Sequence, residues 1–388
     1  SQVRKLTYEY DANDNLTAVI NAAEEKTTFE YDAANRVVVK RVFAHQNSEL
    51  PVKVVHYHYN QGRQLVGYSQ EIGTDDQGQP VGDITEDVIA LSKTYTYTPR
   101  GQIESVTFDF GAFTKSYSYT YYPNGLRETY TNPEGITYTY YYNQNNQLTA
   151  VHIPGSGQMN FTDFFWLRPQ TLLLPGGGKI TLSYDDFLQV KERILEDPAN
   201  NNVAEAIYQY DLESNIERIT ASEGIYSFGY DSTYRLTSVD YPELIAANDE
   251  EFGYDGVGNR IHHDVTTSSV PDEPETQEQA SVYNDQNQLI QKGDATFTYN
   301  ANGHTATKTE NGRVTEYLYN HEERLIAVRI DGNTVGRYAY NPEGHRIKKT
   351  VNGVTTYFLY NEEGLAAEYD AHGNLIKEYH FKPYETWM

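Results

Sequence analysis

The sequence contains no cysteine, which removes disulfide staples, thiolate metal sites and cysteine nucleophiles together. Cations are scarce as well: 30 Lys plus Arg face 55 Asp plus Glu, a formal charge of 30 − 55 = −25. Nucleic acid is therefore not an expected partner, because strands are held mainly through Lys and Arg on their phosphates. No apolar run reaches the roughly 18 residues of a spanning helix, so no membrane span is expected. The opening Ser1-Gln2-Val3-Arg4-Lys5-Leu6 lacks the apolar core of a signal peptide. A first residue other than Met suggests a processed product or an excised fragment, and the residues leave the localisation open.

Only 38% of the residues are hydrophobic, and Tyr supplies 36 of them against 14 Phe and 2 Trp. Tyr suits a pleated, half-buried surface, where its ring packs on cross-strand neighbours and its hydroxyl finds water or a backbone partner. The composition points to sheet.

A seven-residue pattern recurs along the chain: Tyr, then usually Asp or Asn, two variable residues, a turn former, a polar residue and an apolar one. Tyr10-Asp11-Ala12-Asn13-Asp14-Asn15-Leu16 opens the series and Tyr31-Asp32-Ala33-Ala34-Asn35-Arg36-Val37 follows. Clear copies begin at Tyr210, Tyr230, Tyr254, Tyr283, Tyr299, Tyr319, Tyr340, Tyr360 and Tyr369, and weaker ones at Tyr59, Tyr97, Tyr121, Tyr142 and Tyr184. The commonest spacings are 20 and 21 residues, the gap of 42 is twice 21 with Phe165–Thr171 as a degenerate copy near its middle, and longer gaps read as loop insertions.

Each unit reads as a β-hairpin. Alternation such as Thr94-Tyr95-Thr96-Tyr97 gives the strand that enters the turn. Asp or Asn after the Tyr can accept from a backbone N–H two residues on, and Gly or Asn three positions later tolerates positive φ, as in Asn341-Pro342-Glu343-Gly344. Leu16, Leu236, Leu289, Leu325 and Leu375 start return strands, and Asp331-Gly332-Asn333 or Val351-Asn352-Gly353 closes the unit. Roughly 34 strands at about 4.8 Å each give a sheet on the order of 160 Å wide, which must curl. The expected fold is all-β: tandem hairpins in one long antiparallel sheet that spirals into a hollow shell or an open spiral. A single domain over 1–388 is expected, with insertions near 71–87 and 265–280.

These motifs resemble the YD-repeat, or Rhs-repeat, family, which includes bacterial Rhs toxins, the cocoon-forming component of Tc insecticidal toxins and animal teneurins. The likeness covers nearly the whole chain, and Gly364–Leu375 resembles the late part of an Rhs core. What the resemblance implies is a non-enzymatic shell or scaffold that encapsulates or presents a polypeptide cargo, in a secreted or cell-surface setting. The chain stops at Glu385-Thr386-Trp387-Met388, before the plug and cleavage segment that such proteins usually carry. Partners are then a cargo or neighbouring domains of a larger parent. A surface adhesin that binds carbohydrate through the Tyr-rich face or the acidic inserts is the alternative.

No catalytic, cofactor or metal residues are expected. Asp185-Asp186 and Glu322-Glu323 are paired carboxylates, but acid/base work needs a cleft with divergent pKa values, and such pairs are expected on solvated turns. The acid-rich stretches Glu71–Asp87 and Asp272, Glu273, Glu275 and Glu278 read as solvated loops, with a hard-cation site as their functional alternative. Asp11–Asn15 starts like a calcium loop, yet Leu16 and Ala22 stand where that loop needs Gly and Glu. His56 and His58 share a strand face without an evident third ligand. Gly176-Gly177-Gly178-Lys179 lacks the Ser or Thr of a phosphate loop, Ile180 following instead. The architecture is expected to rest on the structural pairs Tyr10-Asp11, Tyr31-Asp32, Tyr210-Asp211, Tyr230-Asp231, Tyr254-Asp255, Tyr340-Asn341, Tyr360-Asn361 and Tyr369-Asp370. Gly258, Gly344, Gly364 and Gly373 are the matching turn glycines.

Overall fold

The computed structural model describes residues 5–74, 90–242, 249–267 and 275–380, with only the backbone of 267 and 275–279. Most of the insertion near 71–87 lies outside the described residues, as do Asp272 and Glu273, but Glu275 and Glu278, expected in a loop, lie on the strand Glu275–Tyr283, where they pair with Thr267 and Asp264 because the hairpin ladder runs on into the insertion. The described chain is all-β, one antiparallel sheet of 33 strands that is not closed on itself. Strands follow one another in chain order, so each return strand pairs with the strand before it, and the first, Thr7–Tyr10, pairs with Leu16–Ile20.

The turn after each motif Tyr has a common construction. In the first copy, Asp11 Oδ1 accepts from the backbone N–H of Asn13 at 2.8 Å and of Asn15 at 2.9 Å, while Asp11 N–H donates to the Asn15 carbonyl at 3.0 Å. The side chain of Asn15 donates to the other carboxylate oxygen at 2.9 Å. The same box forms at Asp211 with Asn215 and at Asp255 with Asn259. A short polar side chain thus does locally what a backbone ladder does elsewhere.

Behind this turn the ladder slips by one residue. Tyr10 faces Leu16 while Glu9 faces Ala18, and the same shift recurs where Tyr31 faces Val37, Tyr230 faces Leu236 and Tyr340 faces Arg346. A bulge of this kind bends the strand and raises its twist. The fourth residue after the Tyr takes positive φ whether or not it is Gly or Asn: Gly258 has φ 95° and Gly344 85°, but Leu188 has 64° and Tyr234 64°. Hydrogen bonding within the turn outweighs the steric cost to these two side chains.

Two copies depart from the scheme. Tyr360-Asn361 enters a two-residue turn, with Asn361 opposite Gly364 at φ 143°, so the strand Gly364–Tyr369 serves both as its return and as the entry to the Tyr369 turn. The Tyr369-Asp370 turn, with Gly373 at φ 81°, consequently lies on the opposite edge of the sheet. Phe165 pairs directly with Arg168 across Trp166-Leu167, a tight turn without the side-chain box.

The chain sorts into two compact units, Ser1–Thr120 with Thr131–Gly135 and Ala295–Met388, and Tyr121–Tyr130 with Ile136–Asp294. In the first unit, Val42 and Val52 pack with Ala44 and Ile72, and Phe108, Phe110, Phe113, Tyr357 and Tyr369 form an aromatic cluster. Leu359 and Tyr369 are fully buried there. In the second unit, most strand side chains from Arg168 to Tyr254 are half-buried.

Candidate functional site: a polar seam in the first unit

Within the first unit, turns of late hairpins lie against strands of early ones. Their sequence explains the fit. The variable positions of the late turns are Glu322 and Glu343, inside boxes that Asn320 and Asn341 lock, and Glu362, in the tight turn that Asn361 opens. The early strands present Lys40, Lys53, Lys93, Tyr95, Tyr117 and Tyr119.

Glu322 sits between two ammonium groups. Lys40 Nζ donates to Oε1 at 2.5 Å and Lys53 Nζ to Oε2, and the Lys53 side chain is only 5% exposed. One hairpin later, Glu343 accepts from Lys93 at 3.1 Å and 3.2 Å and from the Tyr95 hydroxyl at 3.1 Å. Gln70 donates to the Tyr340 carbonyl at 3.3 Å in the same rung. A further hairpin on, Glu362 accepts from Tyr119 at 2.5 Å and Tyr117 at 3.4 Å. Asn132 donates to Glu378 at 2.8 Å. At the near end Glu25 accepts from Asn21 at 2.6 Å, Asn302 at 3.2 Å and the His321 ring at 2.7 Å. Each step of one hairpin on the late side meets the next hairpin on the early side.

Burial and then the neighbouring Arg324 push the Lys40 ammonium down to about 8. Burial, with the Glu343 charge behind it, raises the Tyr68 and Tyr95 hydroxyls far above the ordinary range. Burial disfavours the Glu25 carboxylate, but the hydrogen bonds from His321 and Asn21 outweigh it and hold Glu25 below its usual value. A cavity of about 290 Å³ lies along this seam, lined among others by Glu25, Lys40, His321, Glu322, Arg324 and Glu343. Its acids are already matched with cations and amide donors, an arrangement that fixes two layers to one another. Among the described residues no group of three or more His, Asp or Glu could hold a metal.

The second recurrent feature is a staple between neighbouring repeats. In many copies the hydroxyl of the motif Tyr reaches back to the carbonyl of the residue that begins the preceding repeat's return strand. Tyr31 donates to Leu16 at 2.8 Å, Tyr210 to Val190 at 2.8 Å, Tyr230 to Ile216 at 2.9 Å, Tyr254 to Leu236 at 2.7 Å, Tyr340 to Leu325 at 2.9 Å and Tyr360 to Arg346 at 3.2 Å. Tyr10 lies on the first strand, where its ring is 61% exposed, and Tyr369 donates to Glu134 at 3.3 Å.

Sequence reasoning placed Glu322 on a solvated turn; the structure places it between Lys40 and Lys53 with its side chain 18% exposed. The box also occurs without a Tyr, at Asn21 with Glu25 and at Asp197 with Asn201, where an acid or amide four residues after an Asn or Asp was the available signal. Gly176–Gly178 closes a hairpin turn, Gly177 at φ 88°, and Lys179 pairs with Glu196.

A model of the teneurin YD-shell matches residues 179–381, just over half of the chain, and a model of the Rhs repeat matches 7–42. The chain belongs to the YD-shell family. Among curated proteins this YD-shell chain is similar to the tRNA nuclease WapA of Bacillus subtilis (strain 168), 25% identical over 226 residues, 57% of this chain and 9% of that protein. Among solved structures it is similar to a chain of the Photorhabdus luminescens Tc holotoxin pore, at 13% identity and a TM-score of 0.62, covering 97% of this YD-shell chain and 24% of the other. A TcdB2-TccC3 structure matches at 12% identity and a TM-score of 0.51, with 97% and 25% covered. The chain thus spans about a quarter of the solved chains it matches and a smaller part of the curated relative. These likenesses support a structural shell role.

Proposed function

We propose that the chain is wall material: a non-enzymatic part of a larger secreted shell that surrounds a polypeptide cargo. The observation that carries this reading is the seam. A single-layer sheet is easily deformed, but buried Lys–Glu pairs and Tyr–Glu hydrogen bonds, one set per hairpin, tie late hairpins to early ones in the first unit. Rigid, laterally braced sheet is what containment needs, and the YD-shell match and the likeness to Tc toxin chains favour it. In this reading the Tyr-Asp and Tyr-Asn pairs from Tyr10 to Tyr369, with Gly258, Gly344, Gly364 and Gly373, carry the wall rather than any chemistry. WapA is named a tRNA nuclease, but the chain covers only 9% of it, and we do not carry that activity over to these residues.

The test is limited proteolysis of the natural protein that contains these residues. The expected result is a polypeptide segment that stays intact beside the YD region and becomes digestible only once the sheet is unfolded. Rapid digestion of every other segment while the YD sheet remains whole would overturn the proposal.

A further inference from the structure

The second unit holds a cavity of its own, about 480 Å³ in volume. Leu172, Ile180 and Leu182 floor it, on the strands Arg168–Leu173 and Lys179–Tyr184. The register explains why these side chains meet. Leu172 faces Ile180 and Leu182 faces Arg193 across the ladder, and Arg193 in turn faces Ala206, two residues before Tyr208. Residues opposite one another in a ladder, and every second residue along a strand, share a face. One face of four neighbouring strands thus carries an aliphatic floor that ends in a guanidinium and a phenol, and both Arg193 and Tyr208 line the cavity.

The two polar groups are not used by the fold. Beside them the Tyr210 hydroxyl is spent on the staple to the Val190 carbonyl, which fixes that side of the cavity. Arg193 is exposed, and among the described residues neither its guanidinium nor the Tyr208 hydroxyl has an ion-pair or hydrogen-bond partner. With 55 acids to 30 cations this is unusual: Lys40, Lys53, Lys93, Lys179 and Arg235 each rest on a carboxylate. The acids nearest to Arg193 along the sheet, Glu192 and Glu205, stand opposite Ser183 and Ile194 and so belong to the other face.

A concave space of a few hundred Å³, apolar but for a small number of converging polar groups, has the build of a small-molecule site. Its polar groups choose the ligand's head. A guanidinium donates to both oxygens of a carboxylate, and a phenol adds a third donor. The floor chooses the tail: from Arg193 to Leu172 it crosses two strand spacings, about 9.6 Å, the reach of an unbranched chain of about eight to ten carbons. We infer that this cavity binds a medium-chain aliphatic carboxylate, its head on Arg193 and Tyr208 and its tail over Leu182, Ile180 and Leu172. A polar tail would bury its groups against aliphatic side chains without partners, and a cationic head would meet Arg193 as a like charge.

Isothermal titration of the 388-residue chain with decanoate tests this. One-to-one binding in the submillimolar range is expected, and none with acetate or with decyltrimethylammonium, which keeps the tail and reverses the head. Arg193→Gln should weaken decanoate about tenfold, the worth of one charge-assisted contact. Arg193→Lys should recover part of that loss, and Tyr208→Phe should weaken binding less than Arg193→Gln does. Arg193 is exposed, so its variants should keep the circular dichroism spectrum and melting temperature of the parent chain. Four results would overturn the inference: no binding of decanoate, an Arg193→Gln chain that binds it like the wild type, decyltrimethylammonium bound as tightly, or an acetylated leucine tripeptide with a free carboxylate bound more tightly, which would give the cavity to a polypeptide end.

Discussion

The hydroxyl of Tyr230 donates at 2.9 Å to the carbonyl of Ile216, the residue that starts the neighbouring repeat's return strand. The bond crosses from one repeat to the next, so each unit is held by its predecessor as well as by its own ladder. Tyr230→Phe should cost about 1 kcal/mol, the net worth of one such hydrogen bond. Tyr230→Ala should cost more but loosen only the adjoining hairpins, because repeat stability is roughly a sum of neighbour terms. Hydrogen exchange would check this: faster exchange confined to the strands around Ile216–Ala221 and Gly224–Tyr230 is expected, and loss of protection across the whole chain would contradict it.

Glu322 is the single carboxylate shared by Lys40 and Lys53. Replacing it with Ala removes the carboxylate that both ammonium groups share, and removing one partner of a buried pair costs roughly 3 to 5 kcal/mol. Denaturant unfolding should show that loss, whereas Glu310→Ala, half-exposed and paired with Lys308, should change stability by less than about 1 kcal/mol.

Tyr234 holds φ 64° at the turn position where Gly258 and Gly344 sit at 95° and 85°. Tyr234→Gly should therefore raise stability by about 0.5 to 1 kcal/mol, the relief of left-handed strain less the extra chain entropy of Gly. Gly373→Ala should do the reverse, since its Cβ would lie 2.8 Å from the Phe113 ring at φ 81°. Thermal melts of both variants give the comparison.

Alkaline stability follows from the Tyr hydroxyls. Burial pushes Tyr57 up to about 12 and raises Tyr210, Tyr230, Tyr340 and Tyr360 as well. The folded chain thus keeps protons that the unfolded chain loses near pH 10.0, and stability should be full below that pH and fall above it. Melts from neutral pH to pH 12 should show the decline, alongside tyrosinate absorbance that lags behind that of the denatured chain.

Acid acts through the turn boxes. Side-chain hydrogen bonds from Asn15, Asn215 and Asn259 hold Asp11, Asp211 and Asp255 below 3.8, so their contribution is present above that pH and is lost as pH falls through the lower folded values. Asp211→Asn should keep its hairpin, as Asn341 does with its own turn, and should make that hairpin less sensitive to acid in a site-resolved exchange experiment.

The hairpins were legible because Tyr, Asp and the turn former recur at fixed offsets, and return strands do begin at Leu16, Leu236, Leu289, Leu325 and Leu375. The staple was not, since Tyr230 and Ile216 become neighbours only once the bulge has set the register. The seam left even less trace. Glu322 is one of 55 acidic residues, and nothing within reach of it in sequence points to Lys40 or Lys53. The tight turns at Trp166-Leu167 and after Asn361 escaped because both have turn-forming or aromatic residues at the right spacing while lacking the four-residue partner that builds the box.

The seam also sets a timetable. Lys40 and Glu322 are 282 residues apart, so at a synthesis rate of about 5 to 20 residues per second the early strands leave the ribosome some 15 to 60 s before their carboxylate exists. During that interval Lys40, Lys53 and Lys93 form a cationic strip on an otherwise acidic nascent chain, with hairpins behind them already able to close. The first unit therefore completes late, when the last hairpins arrive, and a chain stalled before Glu322 would display the open strip to any acidic chaperone or to its own acidic stretches.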